Sequence, residues 1–312
     1  MAATSSPSPL IDLPAPVGFV LGGGGSLGAQ QVGMLQALGD VGVHADLVVG
    51  TSIGSVNGAL LAADPTGAAS RLSHLWHTID ERSIMGKGLL RRLVTLLRGG
   101  NHIYDTPAVA ELVGSHVGDV DISELSVPYA ALAVDVEQGV PTRLSSGRLA
   151  TAIEASTAIP GVFPMVRRDG RLLCDGGLIT NVAVGDALDM GARSLVVLDC
   201  MFAGHTLEVP KRLTDTTMWT LTTQLRQQVL RDLPLAAREV PVLYLPGARP
   251  RMVNPLEFGL TSELMHEAYE SSRVFLETVS VDGAGLYQSE PDGDHTPGEH
   301  SGPTHTGHDR TV

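Results

Sequence analysis

Short apolar runs, each broken by glycine or a polar turn, alternate along this chain with stretches whose apolar residues recur every three or four positions. The run 17–21 (VGFVL) meets four glycines at 22–25, and Leu27, Val32, Met34, Leu35 and Leu38 then follow at helical spacing. A second run, 47–49, ends at Gly50, and 53–63 continues as a helix of small residues. Further runs at 128–134, 171–174, 194–198 and 240–245 predict buried strands, and 148–157, 221–230 and 262–279 predict helices between them. Strands alternating with helices predict an α/β fold with a mostly parallel central sheet and helices on both faces. There is no internal repeat.

The pattern fades at both ends. Residues 1–15 are rich in Ser, Pro and Ala and are expected to be disordered, as is an acidic, His-rich tail over 283–312. One domain over 16–282 remains. The N-terminus has no basic segment followed by a sustained apolar one, so no secretory signal is expected. Neither is a membrane span, because charge interrupts every long apolar stretch.

Charge narrows the partners. The formal net charge is −13 over 312 residues, and the segment 282–312 supplies six acids against one base. What remains is still acidic, which argues against nucleic acid, whose binding rests on cation–phosphate contacts. The segment 82–104 is the exception: it has five cations, no acid and aliphatics at helical spacing. It suits a helix with its apolar face in the core and its arginines in water, or one lying at a membrane interface. The two cysteines, Cys174 and Cys200, both end apolar runs and suit buried thiols in a reducing, cytoplasmic setting. Oligomeric state is not legible.

Gly50-Thr-Ser-Ile-Gly54 stands between a predicted strand and a predicted helix. That setting suits a nucleophile elbow, in which a strained turn exposes the Ser52 hydroxyl at a helix N-terminus and the flanking Gly50 and Gly54 avoid collision. A plain strand–helix turn capped by serine has the same letters. Ser55 lies within the helix and is the weaker nucleophile. The loop 22–28 (GGGGSLG) also joins a strand to a helix, so its amides, those near Gly24 and Gly25 above all, suit an oxyanion hole. Gly23, Gly25 and Gly28 also spell a dinucleotide fingerprint. That reading wants an acid at the end of the second strand, whereas Asp46 begins it.

A hydrolytic serine needs a base. His44, His74, His77, His102, His116, His205 and His266 are scattered without a distinctive setting, and His295, His300, His305 and His308 fall in the tail. Asp175, at the end of the run 172–174 and followed by Gly176 and Gly177, is the better placed acid, although Asp before glycine also suits an ordinary turn. No metal-ligand spacing is present, so neither metal nor cofactor is expected.

Together, the glycine loop, GTSIGSVNGALLAA (50–63), EASTAIPGVFP (154–164) and DGG (175–177) followed by Asn181 resemble the patatin-like phospholipase family. The resemblance runs from about residue 17 to 181 and more loosely to 276. It implies a three-layer α/β sandwich and hydrolysis of acyl esters of phospholipids or other lipids by a Ser–Asp dyad. Carried onto this chain, Ser52 is the nucleophile, Asp175 the base, and Gly23, Gly24 and Gly25 the oxyanion loop. Leu27 stands where members of the family often carry Arg or Lys. Neutral esters and thioesters therefore stay open as substrates beside charged lipids.

Overall fold

The computed structural model describes residues 11–78, 114–201, 209, 213–249 and 258–289. Its centre is a nine-stranded sheet: β1 (Val17–Leu21), β2 (Leu47–Thr51), β3 (Tyr129–Asp135), β4 (Val140–Leu144), β5 (Val166–Arg168), β6 (Arg171–Asp175), β7 (Ser194–Leu198), β8 (Pro241–Tyr244) and β9 (Gly285–Gln288). The order is β5-β6-β3-β2-β1-β7-β8-β9, with β4 paired to β3. Strands β3, β2, β1, β7, β8 and β9 run parallel, while β4 and β6 are antiparallel to β3, and β5 to β6.

The central strands are buried on both faces, which is why they read as continuous apolar runs. Successive side chains point to opposite faces. Phe19, Leu21, Val48, Ala131 and Val196 pack into one core with α1 (Ala29–Asp40), α2 (Ile53–Ala63), α3 (Ala68–Thr78), α4 (Leu149–Ser156) and α7 (Thr261–Thr278). Val20, Val49, Leu132, Leu195 and Val197 pack on the other side with α5 (Val184–Asp189) and α6 (Leu213–Ala236). The helices on both faces of a mostly parallel sheet that the pattern predicts are there, and together they make the three-layer sandwich that the resemblance implies.

Register around β3 brings two distant segments together. β2 pairs with residues 129–132 of β3, β6 with 133–135, and β4 with 131–135. A strand has only two edges. Since β4 overlaps both of the others, β2 and β6 share the opposite edge, one beyond the other. They run towards each other and end on adjacent positions, Thr51 opposite Leu132 and Asp175 opposite Ala133. The residue after Thr51 is Ser52.

The ordered body is wider than composition suggests. Ile11 is buried and the Pro14 carbonyl accepts a hydrogen bond from Ser194 Oγ at 2.8 Å, so residues 11–15 are not a free arm. Similarly, β9 lies inside the stretch assigned to the acidic tail, and its Leu286 and Tyr287 pack against the two cores. The segment 82–104 lies outside the described residues.

Candidate active site

Ser52 occupies the turn between β2 and α2 with φ +53° and ψ −125°. That left-handed conformation in a non-glycine residue costs about 1–3 kcal/mol and persists only where the surroundings hold it. Here they do. The Ser52 amide donates to Ser156 Oγ at 3.0 Å, and its carbonyl accepts both the amide (2.8 Å) and the hydroxyl (2.6 Å) of Ser55. Ser55 is thus a clamp on the turn. The turn also packs tightly against its neighbours: a Cβ on Gly54 would collide with the Leu21 carbonyl, and one on Gly50 with the Gly54 carbonyl. Only glycine fits at either place.

The Ser52 hydroxyl donates to Asp175 Oδ2 at 2.6 Å. Asp175 Oδ1 accepts the Gly177 amide at 2.7 Å, so the turn through Gly176 and Gly177 fixes the carboxylate. Asp175 is 5% exposed and Ser52 8%. Burial raises the Asp175 pKa to about 6, against the smaller opposing pull of the hydrogen bonds from Ser52 and Gly177. A carboxylate so placed is a far better proton acceptor than one in water. Among the described residues no histidine hydrogen-bonds either partner.

The glycine loop lies over this pair. A Cβ on Gly23 would stand 3.0 Å from Ser52 Cβ. The Gly23 amide, however, already donates to Asn181 Oδ1 at 3.0 Å. Of the three glycines expected as oxyanion donors it is therefore the one whose N–H is engaged. Among the described residues, no hydrogen bond takes up the amides of Gly24 and Gly25. Asp46, the acid a dinucleotide site would need, accepts the Val17 amide at 2.7 Å at the opposite end of the sheet, so it faces no ligand on the loop.

Behind the loop runs a buried polar chain that hydrophobic patterning does not reveal. Trp76 Nε1 donates to Asn57 Oδ1 at 2.9 Å, and Asn57 Nδ2 donates to Gln31 Oε1 at 2.8 Å and to the Gly28 carbonyl at 3.0 Å. Gln31 Nε2 then donates to the carbonyls of Gly22 (2.8 Å) and Leu198 (3.0 Å). An Asn and a Gln within apolar helical stretches are the one sequence signal for it. Ser156 sits inside the motif 154–164, yet its contact with Ser52 emerges only in three dimensions. The two thiols, Cys174 and Cys200, are free and buried, and burial raises both above the usual thiol range.

The family model for patatin-like phospholipases matches residues 19–188. The chain is 34% identical over 163 residues to an uncharacterized NTE family protein of Mycobacterium tuberculosis, covering 52% of this chain and 43% of that protein. It is 30% identical over 185 residues to patatin-like phospholipase domain-containing protein 7 of Rattus norvegicus, covering 59% of this chain and 13% of that protein. It thus spans less than half the length of either relative. The crystal structure of VipD from Legionella pneumophila superposes with a TM-score of 0.47 at 15% identity, over 85% of this chain and 67% of that one. The matched stretch holds the glycine loop, Ser52, Asp175 and Asn181 and extends over more than half of the sequence: the chain belongs to the patatin-like phospholipase family.

Proposed function

We propose that this protein is a serine acyl hydrolase that cleaves carboxylic esters of phospholipids or other lipids through a Ser52–Asp175 dyad. The observation that carries this reading is the 2.6 Å hydrogen bond from the strained Ser52 to a buried carboxylate with raised pKa. Asp175 takes the hydroxyl proton as Ser52 Oγ bonds to the ester carbonyl carbon. The amides of Gly24 and Gly25, at the start of a 3-10 turn leading into α1, hold the negative oxygen that results. The intermediate collapses with cleavage of the ester C–O bond, and the alcohol leaves with the proton from Asp175. Asp175 then takes a proton from water, which attacks acyl-Ser52; as the bond from the acyl carbon to Ser52 Oγ breaks, Asp175 returns that proton to Oγ and the fatty acid leaves.

Contact with lipid belongs to the same reading. Leu178 and Ile179, directly after the Asp175 turn, are each 38% exposed, a setting that suits an acyl chain approaching Ser52. Leu27 packs against the helical core and presents no cation at the loop, in keeping with neutral esters among the substrates. Among the described residues no helix is long and apolar enough to cross a membrane. We place the enzyme in the cytoplasm, meeting lipid peripherally through 82–104. Replacing Arg91, Arg92 and Arg98 should then weaken liposome binding and spare soluble-ester turnover.

Intact-mass analysis after fluorophosphonate treatment tests the dyad. One adduct is expected on the wild-type protein, none on Ser52→Ala, and much slower labelling of Asp175→Asn. An adduct that persists in Ser52→Ala rejects Ser52 as the nucleophile.

A further inference from the structure

The side chain of Asn181 makes a two-point contact with the backbone of Gly23. Its Oδ1 accepts the Gly23 amide at 3.0 Å, and its Nδ2 donates to the Gly23 carbonyl at 3.4 Å. In a trans peptide the carbonyl and the following N–H point in opposite directions. Holding the Gly23 carbonyl towards Asn181 therefore turns the Gly24 N–H away from it. The direction of that amide is set by a side chain six positions after Asp175.

Asn181 is itself held from α6. Its backbone amide donates to Gln228 Oε1 at 3.0 Å, and the Val182 amide reaches the same oxygen at 3.3 Å. Gln228 Nε2 donates to the Val182 carbonyl at 3.0 Å and to Asp232 Oδ2 at 2.8 Å. The amide group of Gln228 thus accepts two bonds and donates two, while the residue is 7% exposed. A long polar side chain is costly to bury and order unless every group is paired. Below it, Val229, Leu233 and Ala236 anchor α6 in the core, so the clamp stands on a fixed base. Gln228 lies beyond residue 188, where the family match ends.

We propose that Asn181 and Gln228 are positioning residues that orient the glycine loop, and with it the Gly24 amide, over Ser52. Neither touches the reacting atoms. The catalytic consequence rests on the hydrolase reading above; the structural one does not.

The test compares Asn181→Asp and Gln228→Met with the wild-type full chain. Asn181→Asp keeps the acceptor for the Gly23 amide but, once ionised, has no donor for the Gly23 carbonyl. Amide hydrogen exchange over residues 22–28, with α7 as internal control, is expected to speed up at least tenfold in Asn181→Asp. A smaller change in the same direction is expected in Gln228→Met. On a soluble ester, kcat per fluorophosphonate-titratable site should fall about 10- to 100-fold with KM within threefold, below the roughly 100- to 1000-fold cost of deleting an oxyanion donor outright. The acid limb of the pH–rate profile should stay where it is in Gln228→Met, which adds no charge, and move to higher pH in Asn181→Asp, whose new carboxylate lies close to Asp175.

A folded Asn181→Asp protein with wild-type exchange over 22–28 overturns the proposal. So does a loss of activity that disappears when rates are expressed per titratable site, which marks the pair as merely structural. Faster loop exchange in a protein whose wild type turns over no ester supports the positioning role and removes the hydrolase reading alone.

Discussion

Ser156 Oγ bridges the Ser52 turn and the sheet: it accepts the Ser52 amide at 3.0 Å and donates to the Leu132 carbonyl at 2.6 Å. Both bonds are buried, and each compensates a backbone group out of reach of water. Ser156→Ala removes them together. A loss of about 2–6 kcal/mol in urea unfolding is expected, at about 1–3 kcal/mol for each of the two stranded groups. Fluorophosphonate labelling of Ser52 should also slow at least tenfold as the strained turn relaxes. Wild-type stability and labelling in this variant would show that the turn holds itself.

Under the proposed dyad, the raised pKa of Asp175 sets the acid limb of the reaction. Only the carboxylate accepts the Ser52 proton, so kcat/KM should fall about tenfold per pH unit below about 6 and level off above it. A pH profile on an uncharged soluble ester checks this. An inflection that survives unchanged in Asp175→Asn would assign it to another group.

The same shift sets a cost in stability, opposite in sign to that of a salt-bridged acid. The folded protein keeps the Asp175 proton up to about pH 6, whereas the unfolded chain releases it near the ordinary value of 3.8. Between those values the folded state binds more protons, so stability falls as pH rises through the window. Above it the cost is complete, on the order of 3 kcal/mol for a shift of about two units. Asp175→Asn keeps the pairing with Gly177 and Ser52 but cannot ionise. It should be more stable than wild type by about 3 kcal/mol at pH 8 and by roughly half that at pH 5. Denaturant titrations of both proteins at the two pH values decide the matter; a gain that grows as pH falls would reverse the sign.

Trp76 anchors the polar chain behind the glycine loop. Trp76→Phe retains an aromatic ring and strands Asn57 Oδ1, which accepts the indole N–H in the wild type. A destabilisation of about 2–3 kcal/mol is expected from the unpaired acceptor and the lost volume. Turnover per titratable site should change only a few-fold, since Asn181 still holds Gly23. A 100-fold loss per site would mean that the loop is governed from this side instead.

What the sequence shows and what it hides follow the same physics. Fully buried elements announce themselves: β7 and α2 have the limits their apolar runs suggest, 194–198 and 53–63. The elements that patterning missed lie mainly at edges. β4 alternates between exposed and buried positions, β5 is a three-residue strand with two arginines, and β9 is partly exposed throughout. Their pairing comes from neighbouring strands, which local periodicity cannot report. Ser52 and Asp175 were visible because their glycine neighbours are forced by backbone crowding. Gln228 was not, for it is one of two adjacent glutamines in a polar helix and its role depends on a turn 46 positions away.

The end-to-end placement of β2 and β6 along one edge of β3 has a consequence for how the molecule is made. Ser52 and Asp175 are 123 positions apart, and neither strand alone can orient its residue. Contacts so distant in sequence form late, because a long loop must close before they contribute. On the proposed dyad, a chain still assembling its sheet has no activated serine, and one that reacts with fluorophosphonate has already joined β2, β3 and β6. Reactivity of Ser52, followed during refolding, becomes a clock for completion of the sheet's centre.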